Sequence, residues 1–331
     1  MVPDAEFTSY YGRPVVKPSP WEADIPAYLF LGGLAAGSSL LGAGADLTDR
    51  PTLRRAGRVT ALGAIGLSFA ALVHDLGKPS RFTNMLRVAK PTSPMSVGTW
   101  ILSAYGPAAG LAAAAEVAGL LPGGRPALMR AAAAAGGRTV TRHDGLLGLA
   151  ERAGRPAGLA AALVAPAVAS YTAVLLSDTA TPTWHEAHRE LPFVFVGSAA
   201  AASGGMAMIC SPVDQAGPAR RLAVGGAALD LAASRVMESS MGITAEPLHQ
   251  GRPGTLVRAS QLLTAAGALG AATLGRRSRV AAALSGAALV AGSACLRFGI
   301  FEAGQESAKD PRYTVVPQRE RMDARTRSTT P

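Results

Sequence analysis

Runs of about twenty apolar residues recur along the whole chain, and they constrain its fold more than any other feature. A stretch of that length, coiled as an α-helix at about 1.5 Å per residue, spans a hydrocarbon core of about 30 Å. The chain of 331 residues is 49% hydrophobic and 16% charged, whereas soluble domains carry about a quarter charged residues. These features predict an all-α integral membrane protein in the lipid bilayer.

Eight transmembrane helices are predicted from the apolar runs. Their limits are 25–46, 57–76, 97–121, 155–177, 190–210, 219–241, 255–275 and 279–302. They are rich in Gly, Ala and Ser, which is typical of helices that pack closely in a bilayer. Because "FLGGLAAGS" (30–38) resembles "FVGSAAAAS" (195–203), we expect two four-helix bundles related by a parallel repeat.

The same pattern predicts the organisation of the chain and its orientation. The parts are an N-terminal tail (1–24), a first bundle (25–177) with a variable loop (121–153), a second bundle (178–302) and a C-terminal tail (303–331). Lys and Arg number twelve in the gaps after helices 1, 3, 5 and 7, when Arg220 and Arg221 at the start of helix 6 are included, and six in the gaps after helices 2, 4 and 6. Since cytoplasmic loops carry the excess of basic residues, both termini and loop 74–96 are expected on the outer face of the cell membrane.

Several cofactor and ligand classes have little support in the sequence. The net charge of +10 falls in loops. Aromatic residues make up 5% of the chain, and no stripe of basic residues is interleaved with them, so no nucleic-acid partner is expected. Cys210 and Cys295 belong to no CxxC pair, so we expect no iron–sulfur cluster and no metal site. The five histidines supply no facing pair at membrane depth, so no haem is expected either.

The segment "HDLGKPSRF" (74–82) concentrates charge at the end of the second predicted helix. One interpretation is an interfacial helix cap, with Lys78 and Arg81 reaching the lipid headgroups. The other is a reactive site, because an imidazole such as that of His74 donates hydrogen bonds and titrates near neutral pH. A cap does not require the proline- and glycine-shaped loop that follows Asp75, so the sequence favours a site.

Ionisable residues also occur inside predicted helices, where they are costly and usually functional. Asp230 lies near the middle of helix 6, Arg235 and Glu238 follow it on one face, and Arg297 lies in the last third of helix 8. Ion pairs that hold the bundle together are an equal interpretation for Arg235, Glu238 and Arg297. Asp230 has no partner on its own helix, so a proton-carrying carboxylate is the favoured interpretation.

The segments 74–82 and "SPMSVGTWILSAYG" (93–106) together resemble the signature of the NrfD-like family, the membrane subunits of polysulfide reductase and related complexes. The resemblance continues in "IPAYLFLGGLAAGSSLL" (25–41), "LLSDTATPTWHEAHRELPFVFVGSAAAASGG" (175–205) and "LRFGIFEAGQESAKDP" (296–311). It therefore covers nearly the whole chain.

The resemblance implies eight helices, no haem or cluster in this chain, and a quinone (menaquinone or ubiquinone) bound near one membrane face. It implies a ferredoxin-like iron–sulfur subunit that docks at that face, and a molybdenum or tungsten bis-pterin subunit that handles the soluble substrate. His74 and Asp75 are then expected to form a hydrogen-bonded pair that moves protons at the quinone. The expected quinone-binding residues are Tyr28, Asp24, His74, Lys78, Arg81, Trp100 and Tyr105.

Some relatives are thought to couple electron transfer to proton movement, and for this chain the expected path holds Asp230, Glu238, Arg235 and Arg297. Two other functions stay open at this point. One is a multi-pass transporter with a midplane site around Asp230, and the other is a passive membrane anchor for a redox complex.

Overall fold

The computed structural model of the protein describes residues 13–118 and 140–329, and in these residues the chain is helical without strands. The predicted all-α class is confirmed. Parts of the predicted N-terminal tail and of the predicted loop 121–153 lie outside the described residues.

The helices of the described residues follow one another in chain order. The long helices are α1 (Asp24–Leu47), α2 (Pro51–Asp75), α4 (Pro94–Ala118), α5 (Val140–Ser177), α7 (Leu191–Cys210), α8 (Gly217–Ser240), α9 (Gly251–Thr273), α10 (Arg279–Lys309) and α11 (Arg312–Thr329). The short ones are α3 (Phe82–Met85) and α6 (Pro182–Glu186), with 3₁₀ turns at Pro79–Arg81, Ala187–Arg189 and Gly242–Leu248.

Five of the described helices are long and apolar enough to cross a membrane: α1, α2, residues Ala153–Ser177 of α5, α7 and α10. The chain is therefore a multi-pass membrane protein. Helices α4, α8 and α9 contain 25, 24 and 23 residues and fall outside that set.

Several helices extend past their predicted limits. Helix α2 begins at Pro51 instead of residue 57, because proline suits the first helical position, where no amide hydrogen bond is needed. Helix α5 begins at Val140, inside the predicted variable loop. Helix α10 continues to Lys309, so the predicted C-terminal tail from residue 303 holds the end of α10 and all of α11.

The long helices pack in two groups. Helix α1 packs on α2 and α5, and α4 packs on α5 and α2; these four helices are called the first half. Helix α8 packs on α7, and α10 packs on α9 and α7; helices α7 to α10 are called the second half. Helix α7 also contacts α1 and α5, so it joins the halves.

Glycines bring α7 into backbone contact with its neighbours. A Cβ atom at Gly226 of α8 would lie 2.5 Å from the backbone nitrogen of Ala201 in α7. A Cβ atom at Gly205 of α7 would lie 2.6 Å from the carbonyl oxygen of Gly286 in α10. Such contacts are possible only for glycine, which explains the small-residue composition of these helices.

Candidate quinone site and buried charges

Successive helices of the first half run in opposite directions, so α1 and α4 begin at the end of the molecule where α2 and α5 finish. We call this the pocket end. There the four helices enclose a cavity of about 110 Å³. Its walls are mainly apolar, and they include Ile25, Phe69, Leu72, Met95 and Leu102. Few polar groups reach such a cavity, so those that do define its chemistry.

Two tyrosines form the polar part of the cavity wall. The hydroxyls of Tyr28 on α1 and Tyr171 on α5 hydrogen-bond to each other, and both side chains are buried. One hydroxyl donates in that bond, so the other keeps its own hydrogen for a further partner. The ring of Tyr171 fits because α4 has Gly98 beside it, where a Cβ would overlap Tyr171 Cε2.

Tyr171 was not among the residues predicted for the site. It stands alone in the alanine- and valine-rich sequence of α5. A tyrosine in such a position needs a hydrogen-bond partner once it is buried, and that requirement was the available signal. Its partner Tyr28 lies 143 positions away in the chain, which the sequence does not reveal.

His74 and Asp75 lie at the pocket end, but they do not bond to each other. His74 Nδ1 is 2.7 Å from Asp24 Oδ2, and the His74 side chain is 82% exposed. Asp75 lines the cavity and accepts a hydrogen bond from the backbone of Glu22. The expected pair is thus replaced by His74 with Asp24, and Asp75 faces the cavity separately.

The remaining predicted quinone ligands do not line this cavity. Lys78 and Arg81 are exposed, and Arg81 Nη1 donates to the carbonyl of Leu76 at 3.2 Å. Trp100 lies in another groove. Tyr105 is buried deeper in the first half, where its hydroxyl is 2.7 Å from Ser39 Oγ and donates to a backbone carbonyl of α1.

A buried arginine and a buried aspartate lie near each other in the second half. Arg297 on α10 is 1% exposed and Asp230 on α8 is 2% exposed. Arg297 Nη2 donates to the carbonyl of Phe195 at 2.8 Å, and its guanidinium lies 3.6 Å from the centre of the Phe195 ring. Among the described residues, its Nε and Nη1 have no hydrogen-bond partner. The charge of Asp230 attracts that of Arg297, yet no ion pair within 4.0 Å joins them in the described part of the chain.

Asp230 begins a polar row along α8 toward the pocket end. Ser234, one turn later, donates to Asp230 Oδ1 at 3.4 Å. Glu238, a further turn along, accepts a hydrogen bond from Gln261 Nε2 at 3.1 Å and lies 3.6 Å from His249 Nε2.

Arg235 is not part of this row. Its side chain is exposed, and no ion pair joins it to Glu238 among the residues that the structure describes. The row therefore differs from the predicted path by gaining Ser234, Gln261 and His249.

A second charged cluster lies in the first half, at the end opposite the pocket. Arg58 of α2 is 6% exposed and lies 2.9 Å from Glu116 of α4 and 3.0 Å from Asp46 of α1. Arg54 contacts the same two carboxylates, Glu116 at 2.5 Å and Asp46 at 3.3 Å. Two more exposed arginines lie farther off, Arg55 at 3.9 Å from Glu116 and Arg155 at 3.8 Å from Asp46, so four arginines and two carboxylates connect four helices. Over the described residues, no group of three His, Cys, Asp or Glu side chains could hold a metal ion.

A family model described as "Polysulphide reductase, NrfD" matches residues 15–217. The match covers the four helices that form the cavity and ends where α8 begins, before Asp230, Glu238 and Arg297. No curated protein matches the chain.

Proposed function

This chain belongs to the NrfD family, and on that premise we propose that it is the quinone-reactive membrane subunit of a respiratory oxidoreductase complex. The family comprises membrane subunits of quinone-interacting oxidoreductase complexes. In this proposal electrons pass between a ferredoxin-like iron–sulfur partner and menaquinone or ubiquinone in the bilayer. A molybdenum or tungsten bis-pterin partner performs the chemistry on the soluble substrate.

The observation that carries the proposal is the cavity at the pocket end. Its apolar walls suit a flat quinone ring, and the Tyr28–Tyr171 pair offers one free hydroxyl hydrogen to a carbonyl group. Asp75 supplies a carboxylate on the cavity wall. A bound quinone supplies an acceptor for two electrons and two protons. This donor set therefore fits the group that the family uses.

The residues around the cavity have separate roles in this proposal. The tyrosine pair orients the ring, and Asp75 holds a proton at the cavity wall. His74, fixed by Asp24 at 2.7 Å and open to solvent, exchanges protons with water. Lys78 and Arg81 add positive potential at the face where the iron–sulfur partner docks.

The second half contributes proton movement. Asp230, Ser234 and Glu238 follow one another at intervals of one turn, so a proton could pass along the row with water between the groups. Arg297 would tune the charge of Asp230 without neutralising it, because the two form no close ion pair. Arg235, which the sequence placed on this path, is proposed to face solvent or lipid instead.

The membrane arrangement completes the proposal. Helices α1, α2, α4, α5 and α7 to α10 form eight spans in two four-helix bundles, with the pocket end on the outer face of the cell membrane. We expect a Ser93→Cys variant, in a chain with Cys210 and Cys295 replaced by Ala, to react with a membrane-impermeant thiol reagent in intact cells. Labelling only by permeant reagents would place the pocket end and the iron–sulfur partner in the cytoplasm.

The function is tested with Tyr171→Phe and His74→Ala in the assembled complex. We expect each to reduce quinone-coupled turnover, His74→Ala by about 100-fold or more, because a positioned proton donor contributes that much to a rate. Activity with an artificial electron acceptor or donor should persist, since it bypasses the cavity. Normal quinone turnover in both variants would leave the chain as a passive anchor.

A further inference from the structure

A groove on the outside of the first half lies on the face of α4 opposite the cavity. It is bounded by α4, α5 and the segment 86–93, and its volume is about 430 Å³. Its walls are formed mainly by Val97, Trp100, Ile101 and Val164, so its interior is suited to a hydrocarbon chain.

Hydrogen bonds hold the groove in shape. The backbone amide of Lys90 donates to Ser96 Oγ at 2.9 Å, and Ser96 Oγ donates to the carbonyl of Val88 at 3.0 Å. Trp100 Nε1 donates to the same carbonyl at 3.2 Å. The segment 86–93 is thus fixed on the first turns of α4, so a ligand would bind without ordering the groove.

The rim of the groove carries uncompensated positive charge. Lys90 lines it, Arg87 lies three residues earlier in the same non-helical segment, and both side chains are exposed. From residue 76 to residue 115 the sequence holds four cations and no carboxylate. Neither Arg87 nor Lys90 takes part in an ion pair within the described residues. Trp100, 46% exposed, is a residue type enriched at the membrane–water interface.

We propose that this groove binds an anionic phospholipid. One acyl chain lies against Trp100, Ile101 and Val164, and the phosphate lies beside Lys90 and Arg87. An apolar groove alone would accept any lipid chain, whereas Lys90 on the rim, in a segment with three further cations and no carboxylate, favours a headgroup of net negative charge. The inference rests on the membrane placement of α4 proposed above, but not on quinone chemistry.

The test uses the full chain in phosphatidylcholine bilayers that contain phosphatidylglycerol with brominated acyl chains. Bromine quenches indole fluorescence on contact, and subtraction of a Trp100→Phe variant isolates Trp100 from Trp21 and Trp184. We expect Trp100 to be quenched at a lower mole fraction of brominated phosphatidylglycerol than of brominated phosphatidylcholine.

Two variants separate charge from shape. Lys90→Gln should reduce the preference for phosphatidylglycerol about fivefold, the factor expected for one basic residue at a membrane surface. Lys17→Gln is the matched control, since Lys17 is exposed beside Val15 and Val16, which line a different cleft with α6 and α11. Ala104→Leu, which fills the groove, should weaken quenching by both lipids.

Equal quenching by the two brominated lipids in the unaltered chain would overturn the proposal, because the groove would then hold ordinary boundary lipid. Recovery of Trp100 fluorescence on addition of a long-chain quinol would also overturn it, since the groove would belong to the quinone tail. The fluorescence readout is independent of turnover, so neither result depends on the proposed redox function.

Discussion

The two halves of the molecule bury charge in different ways. In the first half, Arg58 lies within 3.0 Å of both Asp46 and Glu116, and Arg54 contacts the same two carboxylates. In the second half, Arg297 is still more deeply buried, but it forms no close ion pair among the described residues, and its Nε and Nη1 have no hydrogen-bond partner there. The nearby Asp230 receives only a long hydrogen bond from a serine.

This difference indicates that the buried charges of the two halves have different roles. A buried cluster of paired charges is costly to break, because removal of one carboxylate leaves buried cations unpaired. It therefore suits a structural role at the end away from the cavity. A buried carboxylate without a close cation can change its protonation without breaking an ion pair. In the function proposed above, the cluster of the first half stabilises the helix packing, and the second half carries the proton.

Removal of the Glu116 carboxylate should have the largest effect, which is a loss of stability. Glu116→Ala leaves Arg54 and Arg58 to share Asp46, so we expect a loss of about 3–5 kcal/mol in the free energy of unfolding. Thermal or denaturant unfolding in detergent measures it. Arg155→Ala is the control, because Arg155 contacts Asp46 at 3.8 Å from an exposed position and exposed pairs contribute little. If both variants had the same free energy of unfolding, the cluster would have no structural role.

Asp230→Asn tests the other half of the comparison. We expect quinone-coupled turnover to fall about 100-fold, because the amide cannot carry a proton, while the assembled complex keeps its activity with an artificial electron acceptor. Asp214→Asn is the control, since Asp214 is exposed in the connection before α8. Unchanged turnover and proton uptake in Asp230→Asn would reduce Asp230 to a packing residue.

Two glycines of α4 sharpen the assignment of the cavity to the first half. Gly98→Ala puts a Cβ into the space that the Tyr171 ring occupies, so we expect a loss of about 1–3 kcal/mol from overpacking and a raised KM for quinol. Gly110 on the same helix has room for a side chain, since a Cβ placed there would have nothing within 4 Å. Gly110→Ala should therefore leave the free energy of unfolding and the KM for quinol nearly unchanged. A similar KM in the two variants would contradict the assignment of the cavity as the quinone site.

The smallest effect concerns a hydrogen bond between helices of the first half. Tyr105→Phe removes a hydroxyl on α4 that bonds to Ser39 Oγ and to the carbonyl of Ala35 on α1. We expect the free energy of unfolding to fall by about 1 kcal/mol. Ser103→Ala is the control, because Ser103 Oγ bonds only to the carbonyl of Thr99 on its own helix. A loss of the same size in Ser103→Ala would show that α4 is weakened locally.

The sequence predicted the helical class well, because runs of apolar residues determine it. It also pointed to Tyr28 and Asp75, which both line the cavity. It could not pair His74 with Asp24, since those residues are 50 positions apart and Asp75 is the nearer carboxylate in the chain. Local sequence favours near partners, whereas the antiparallel packing of α1 and α2 brings together distant ones.

Buried arginines were the hardest feature to predict. Arg54 falls in the predicted gap before the second helix, and Arg58 falls just inside the predicted start of that helix at residue 57, so neither position indicates burial. Their carboxylate partners come from α1 and α4, and Gly158 of α5 makes room for the Arg58 guanidinium, which a Cβ would approach to 2.8 Å. Only the assembled helices show that these arginines are inside.

Helix α7 has a consequence for how the halves communicate. Its backbone touches those of α8 and α10 through Gly226 and Gly205, and its Ser203 hydroxyl donates to the carbonyl of Leu34 in α1 at 3.0 Å. A helix held on three sides in this way cannot tilt or slide far without separating backbones that are already in contact. We therefore expect any coupling between the two halves to proceed without a large rocking of one half against the other.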